Sequence, residues 1–168
     1  MTDPVRLAMD HNFPEPLLQE LSPWIPEVEF HWLRDIHPEL PHLDDRKMII
    51  ALHQLGWVGL VTNNYKMLSI PTELAAILKT QIGFFCIEGT GDDPVRAAGA
   101  LLLDLPGVLK DFRPGSGAIF HLRPRRPRPE DGWGLFKRAA ERRKVEASDL
   151  YAEVQVSDVE LATDVLGS

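Results

Sequence analysis

Five short apolar runs, spaced along the first 122 residues and separated by segments of helical periodicity, constrain this chain more than any other feature. They cover residues 5–10, 28–32, 57–62, 82–87 and 118–122, each too short for an ordinary helix and most of them β-branched or aromatic in character. In residues 28–32, Val28, Phe30 and Trp32 alternate with Glu29 and His31, the pattern of a half-buried strand. Residues 82–87 are almost wholly apolar, which places that strand centrally, covered on both faces.

The intervening segments read as helices. Pro14 and Pro16 open one whose apolar face is Leu17, Leu18 and Leu21, proline being tolerated in a first turn where its missing N–H has no partner. Residues 46–55 carry apolar side chains at 48, 49, 52 and 55, and Gly56 ends the stripe. Ser69-Ile70-Pro71 begins a third helix, through Lys79. Asp93-Pro94 combines a capping side chain with a pre-set first turn, and that helix is expected to run through Leu103 and stop before Pro106-Gly107. Strands alternating with helices predict a three-layer α/β/α fold, with a mainly parallel central sheet of about five strands, over residues 1–122.

From Arg123 the character changes. Residues 123–130, RPRRPRPE, cannot form a regular helix and read as an extended basic linker. Residues 130–144 read as a helix with Trp133, Phe136, Ala139 and Ala140 toward the body and Lys137, Arg138, Arg142 and Arg143 outward. Residues 145–168 read as a loosely attached arm, with Leu150, Val154, Val156 and Leu161 available for docking. Residues 123–168 thus make a second segment of linker, helix and acidic tail.

Charge follows the same division. The net charge is −7, yet residues 121–144 hold 9 lysines and arginines against 3 acids, while residues 145–168 hold 6 acids and no base. Arg123, Arg125, Arg126 and Arg128 on the proline-stiffened stretch are the candidate phosphate contacts, since arginine donates paired hydrogen bonds to phosphate. The acidic tail could fold back and screen them. A single cysteine, Cys86, excludes an internal disulfide and points to a reducing cytoplasm, and the absence of cysteine pairs gives a zinc site little support. The apolar stretches are too short to span a bilayer, and Met-Thr-Asp-Pro lacks a secretory pattern, so no membrane contact is expected.

In open parallel sheets, ligand sites form beyond the carboxyl ends of the strands. That rule selects Asp10-His11-Asn12, Asn63-Asn64 and Glu88-Gly89. Plainer readings stand beside it: Asp10 as a helix cap, Asp44 or Asp45 as another, and Asn63-Asn64 as a turn.

Three fragments add a resemblance. Asp10-His11-Asn12-Phe13-Pro14 is similar to the D-E-N-L-P opening of bacterial PIN-like proteins related to VapC-type toxins. Asp45, Met48, Leu52 and Gly56 keep the spacing of that family's second element, and Leu60-Val61-Thr62-Asn63-Asn64 resembles its L-V-T-N-D. The fragments come in the family's order.

The resemblance implies a metal-dependent endoribonuclease, in which Asp10 and Asp45 hold Mg²⁺ or Mn²⁺. Asn64 joins them as a catalytic position, and Asn12, Asn63 and Asp44 support them. Hard divalent cations prefer oxygen ligands and keep several waters, which suits so few carboxylates. The resemblance also implies RNA as substrate, an antitoxin-like protein as partner, and a homodimer. The chain departs from the pattern at Asn64 and Lys66, where the family has acids, and at His11. These departures leave a second expectation open: a catalytically degenerate PIN-like module that binds RNA or a protein. A phosphatase of the haloacid-dehalogenase type would want an aspartate where Asn12 stands.

Overall fold

A computed structural model describes residues 3–11, 13–90, 93–123 and 131–162. The chain divides into two compact units, Met1–Arg125 and Arg126–Ser168. The first is an α/β unit built on five strands, β1 (Val5–Met9), β2 (Val28–Trp32), β3 (Gly59–Thr62), β4 (Gly83–Ile87) and β5 (Ile119–Leu122). All neighbours pair in parallel, in the order β2-β1-β3-β4-β5.

Side-chain alternation along the strands sorts the core into two layers. Leu7, Met9, Val61, Phe85 and Ile87 face one side, under α1 (Glu15–Leu21) and α5 (Pro94–Asp111). Ala8, Leu60, Phe84 and Cys86 face the other, under α3 (Asp45–Gln54) and α4 (Pro71–Thr80). A short helix, α2 (Leu33–Ile36), follows β2 and adds Leu33 to this second layer. The result is a three-layer α/β/α sandwich. Gly59 and Gly83 lie opposite each other across β3 and β4. A Cβ on Gly83 would come within 2.4 Å of the Phe112 ring, so this pair makes room for the aromatic packing of Phe85, Phe112 and Phe120.

The connections share one hand except the last. The step from β3 to β4 carries α4 on the Ala8 face, whereas the step from β4 to β5 moves in the same direction with α5 on the opposite face. Right-handed crossovers make up about 98% of parallel connections. The α5 crossover disagrees with those through α1, α3 and α4, and is the exception.

Two expectations are corrected. Helix α5 does not stop before Pro106 but continues through it to Asp111. Leu101 and Leu105 are buried, and Val108, Leu109 and Phe112 continue their stripe onto the same core, so tertiary packing overrides the lost backbone hydrogen bond. The carbonyl that loses its donor belongs to Leu102, on the exposed side of the helix. The other concerns Val154 and Val156, proposed as docking residues.

In the second unit α6 (Gly132–Arg143) is followed by α7 (Ala147–Val154) and α8 (Asp158–Ala162). Asp131 caps α6 through the N–H groups of Trp133 and Gly134. Trp133 and Phe136 pack against Tyr151 of α7. Val154 and Val156, expected to dock, are exposed. Among the described residues, no helix is long and apolar enough to cross a membrane.

Candidate functional site

The strand order 2-1-3-4-5 reverses direction between β1 and β3, and the crevice at such a switch point is where open α/β sheets bind ligands. Asp10 stands at this point. Its N–H donates to the Val61 carbonyl at 3.0 Å, prolonging the β1–β3 ladder by one residue, and its side chain is 8% exposed. Alternation from Ala8 and Leu60 puts Asp10 and Thr62 on the α3/α4 side of the sheet. Asp10 is no helix cap: the residue at the start of α1 is Pro14.

A chain of hydrogen bonds runs from this carboxylate across the crevice. Thr62 Oγ1 donates to Asp10 Oδ2 at 2.8 Å and accepts from the Asn64 N–H at 3.0 Å. The Asn64 side-chain amide then donates to Asp45 Oδ2 at 3.1 Å. At the other oxygen of Asp10, Oδ1, lies His11 Nδ1, 2.8 Å away on a half-exposed ring. The residue at the expected acidic position therefore ties the two aspartates together as an amide.

Asp45 is the first residue of α3, and Asp44 before it is the cap, accepting from the Lys47 N–H at 2.9 Å. That bond lowers the Asp44 proton affinity. Arg46 crosses to the next helix and donates to the Thr72 carbonyl at 2.7 Å, which brings the starts of α3 and α4 together. The same junction carries Glu73, in the first turn of α4. Burial, then repulsion from Asp10 and Asp44, raises the Asp45 pKa against the weaker pull of His11 and Asn64. Glu73 is raised for the same reasons, first burial and then the charges of Asp45 and Asp44. Its Oε2 is closed off from solvent without a hydrogen-bond partner among the described residues.

These residues fit a hard divalent cation in donor chemistry: carboxylate oxygens held in fixed orientations, with charges that repel one another until a proton or cation intervenes. Among the described residues, no three His, Cys, Asp or Glu side chains converge closely enough to enclose a metal ion. A site that keeps several waters needs only one or two protein carboxylates, and Asp10 and Asp45 are the two that would serve.

The remaining candidates are placed differently. Asn63 is half-buried in the turn after β3, where its carbonyl accepts from the Tyr65 N–H at 3.0 Å. Asn12, Arg125, Arg126 and Arg128 lie outside the described residues. Arg123 is tethered, its Nε donating to Glu88 at 2.8 Å and its backbone N–H to Asp104 at 3.1 Å. Glu88 also meets His121 Nδ1 at 2.6 Å. Burial works to raise the Glu88 pKa, but the bonds from His121 and Arg123 together outweigh it and hold the group low. Beneath them Cys86 is buried, and its thiol is pushed up to about 12, chiefly by burial, which leaves it inert as a nucleophile.

Sequence reasoning passed over Thr62 and Glu73. Thr62 lay inside the quoted L-V-T-N-N fragment without a role, and its signal was a hydroxyl at a strand end next to a buried acid. Glu73 had only its place in a first turn behind Pro71. Compared with protein-family models, characterised proteins and solved structures, the chain matches none.

Proposed function

We propose that this chain is a PIN-like, Mg²⁺- or Mn²⁺-dependent endoribonuclease of the toxin-related type, hydrolysing RNA phosphodiesters at the β1/β3 crevice. The observation that carries the reading is the hydrogen-bonded chain Asp10–Thr62–Asn64–Asp45 at the topological switch point. The resemblance of the three fragments supports it, as does an all-parallel sheet of the kind that resemblance implies.

A bound divalent ion supplies neutralisation of charge on the phosphate and a more acidic water. The chain's own residues do the rest. Asp10 and Asp45 would hold the ion, whose charge would offset the repulsion that, after burial, raises the Asp45 pKa. Thr62 fixes the plane of the Asp10 carboxylate and Asn64 that of Asp45, so that neither has to reorganise when substrate arrives. His11, half-exposed beside Asp10, stands where it can donate a hydrogen bond to a phosphate oxygen. An antitoxin-like protein partner belongs to the same proposal and is supported by the resemblance alone.

One observation favours the second reading, a PIN-like module that binds RNA or protein without cutting. Both Asp10 oxygens already have partners in Thr62 and His11. The experiment that separates the two is cleavage of an end-labelled single-stranded oligoribonucleotide with Mn²⁺. The nuclease reading expects cleavage by the parent, its loss with a chelator, and a fall of at least about a hundredfold for Asp10→Asn and Asp45→Asn. RNA binding without cleavage, unaffected by either substitution, would establish the module instead.

A further inference from the structure

The turn that leaves the crevice presents two exposed side chains, Tyr65 and Lys66. After Asn64 the chain enters a turn of 3₁₀ helix, Tyr65–Ser69. Its backbone is pinned from several sides. The Asn64 N–H donates to Thr62 Oγ1, the Tyr65 N–H to the Asn63 carbonyl, and Ser69 Oγ to the Lys66 carbonyl. Met67 is wholly buried in the layer under α3 and α4. On this fixed turn the Tyr65 residue is 52% exposed.

A single exposed ring is ordinary on a protein surface, and this one is set apart by its place. Tyr65 follows directly on the residue whose amide meets Asp45, about 3.8 Å away from Cα to Cα. Its ring has no aromatic partner, and the Lys66 ammonium no acidic one, among the described residues. Lys66 also stands where the PIN-like pattern has an acid, so a charge that would repel a polyanion is replaced by one that attracts it.

A ring with an open face beside a free cation is the combination that holds single-stranded nucleic acid. The ring stacks on a base, and the cation meets the backbone. In a duplex the faces of the bases already cover one another, so the ring has nothing to stack on. We propose that Tyr65 stacks on an unpaired base at the crevice and that Lys66 pairs with a neighbouring phosphate, which makes single-stranded RNA the strand this site accepts. The position of the cut rests on the nuclease reading; the stacking contact does not. Because the turn is already fixed, little order is lost when the base arrives. Because every base has a face to stack, the site discriminates by strand state more than by sequence.

The test is binding of a fluorescein-labelled oligoribonucleotide to the full chain, followed by anisotropy with Ca²⁺ in place of Mn²⁺ and the strand checked for length afterwards. The single strand should bind more tightly than the same sequence in a duplex. Tyr65→Ala should weaken single-strand binding about tenfold, while Tyr65→Phe, which keeps the ring, stays within about twofold of the parent. Lys66→Ala should flatten the slope of log affinity against log salt by about 0.7. An oligomer of abasic ribose phosphates should not distinguish the parent from Tyr65→Ala, a result that a merely structural role for the ring would not give. Equal binding of the base-bearing strand by the parent and Tyr65→Ala overturns the proposal, whether or not the parent cleaves with Mn²⁺. So does a parent that binds duplex and single strand alike, or neither. Binding that depends on Tyr65 in a chain that never cleaves upholds the stacking contact and removes the nuclease reading.

Discussion

At the scale of single residues, Thr62 is the side chain on which the site depends most. It donates to a carboxylate that is nearly closed off from water and accepts from the backbone of the residue that holds Asp45. Thr62→Val keeps the shape but leaves Asp10 short of a donor, and a buried acceptor so deprived costs about 1–3 kcal/mol. The expected result in a denaturant melt is a loss of that order, with Thr62→Ser recovering most of it. Asp45 makes the opposite case. Its pKa is raised, so between the ordinary carboxylate range and that raised value the folded state binds more protons than the unfolded one. Stability therefore falls as pH rises through this window, and the cost is complete above it. Asp45→Asn removes the cost while keeping an oxygen for Asn64 to bond. In thermal melts it should exceed the parent by on the order of 1–2 °C at neutral pH, the group being partly solvated, and the gap should close in acid.

Asp10 and Asp45 were legible because each sits at a strand end or helix start where local rules single it out. Glu73 was not, because its relevance comes from a neighbouring helix brought alongside by Arg46, a contact no sequence spacing encodes.

At the scale of elements, most of the helices and strands follow from apolar periodicity. Glycine fixes one boundary clearly: Gly56, at φ 80°, lets the Trp57 N–H turn back to the Leu52 carbonyl and closes α3. Helix α5 shows where local rules fail. Pro106 signals a stop, yet the stripe from Leu101 to Phe112 has enough core to bury that the helix persists. Pro106→Ala restores a backbone donor to the Leu102 carbonyl and relieves the ring. It should stabilise the chain by on the order of 1 kcal/mol, less than the full helical penalty because the unfolded chain also gains freedom. An unchanged or lower midpoint would show that the proline is accommodated without cost. The hand of the α5 crossover was not legible at all, since it depends on which face of the sheet the helix chooses and both faces of β4 are apolar.

At the scale of the whole molecule, one parallel sheet explains why residues as distant as 10, 45, 62 and 73 meet. Parallel crossovers deliver every strand end and every following helix start to the same edge. The charges gathered there are mainly acidic, only partly offset by His11 and the Asn64 amide, and a proton or a cation relieves them further. The second unit obeys a different logic: a basic helix followed by acidic ones, with an aromatic seam. Its charge asymmetry was plain from the sequence, and its packing was not, because rings at 133, 136 and 151 meet only when the hairpin closes.

The central claim is that Asp10 and Asp45 together hold a divalent cation, and calorimetric titration of Mn²⁺ into the full chain tests it most directly. One ion per chain should bind, with affinity lost in both Asp10→Asn and Asp45→Asn although each variant remains folded. Heats indistinguishable from dilution in the parent, or binding that survives both substitutions, would contradict it.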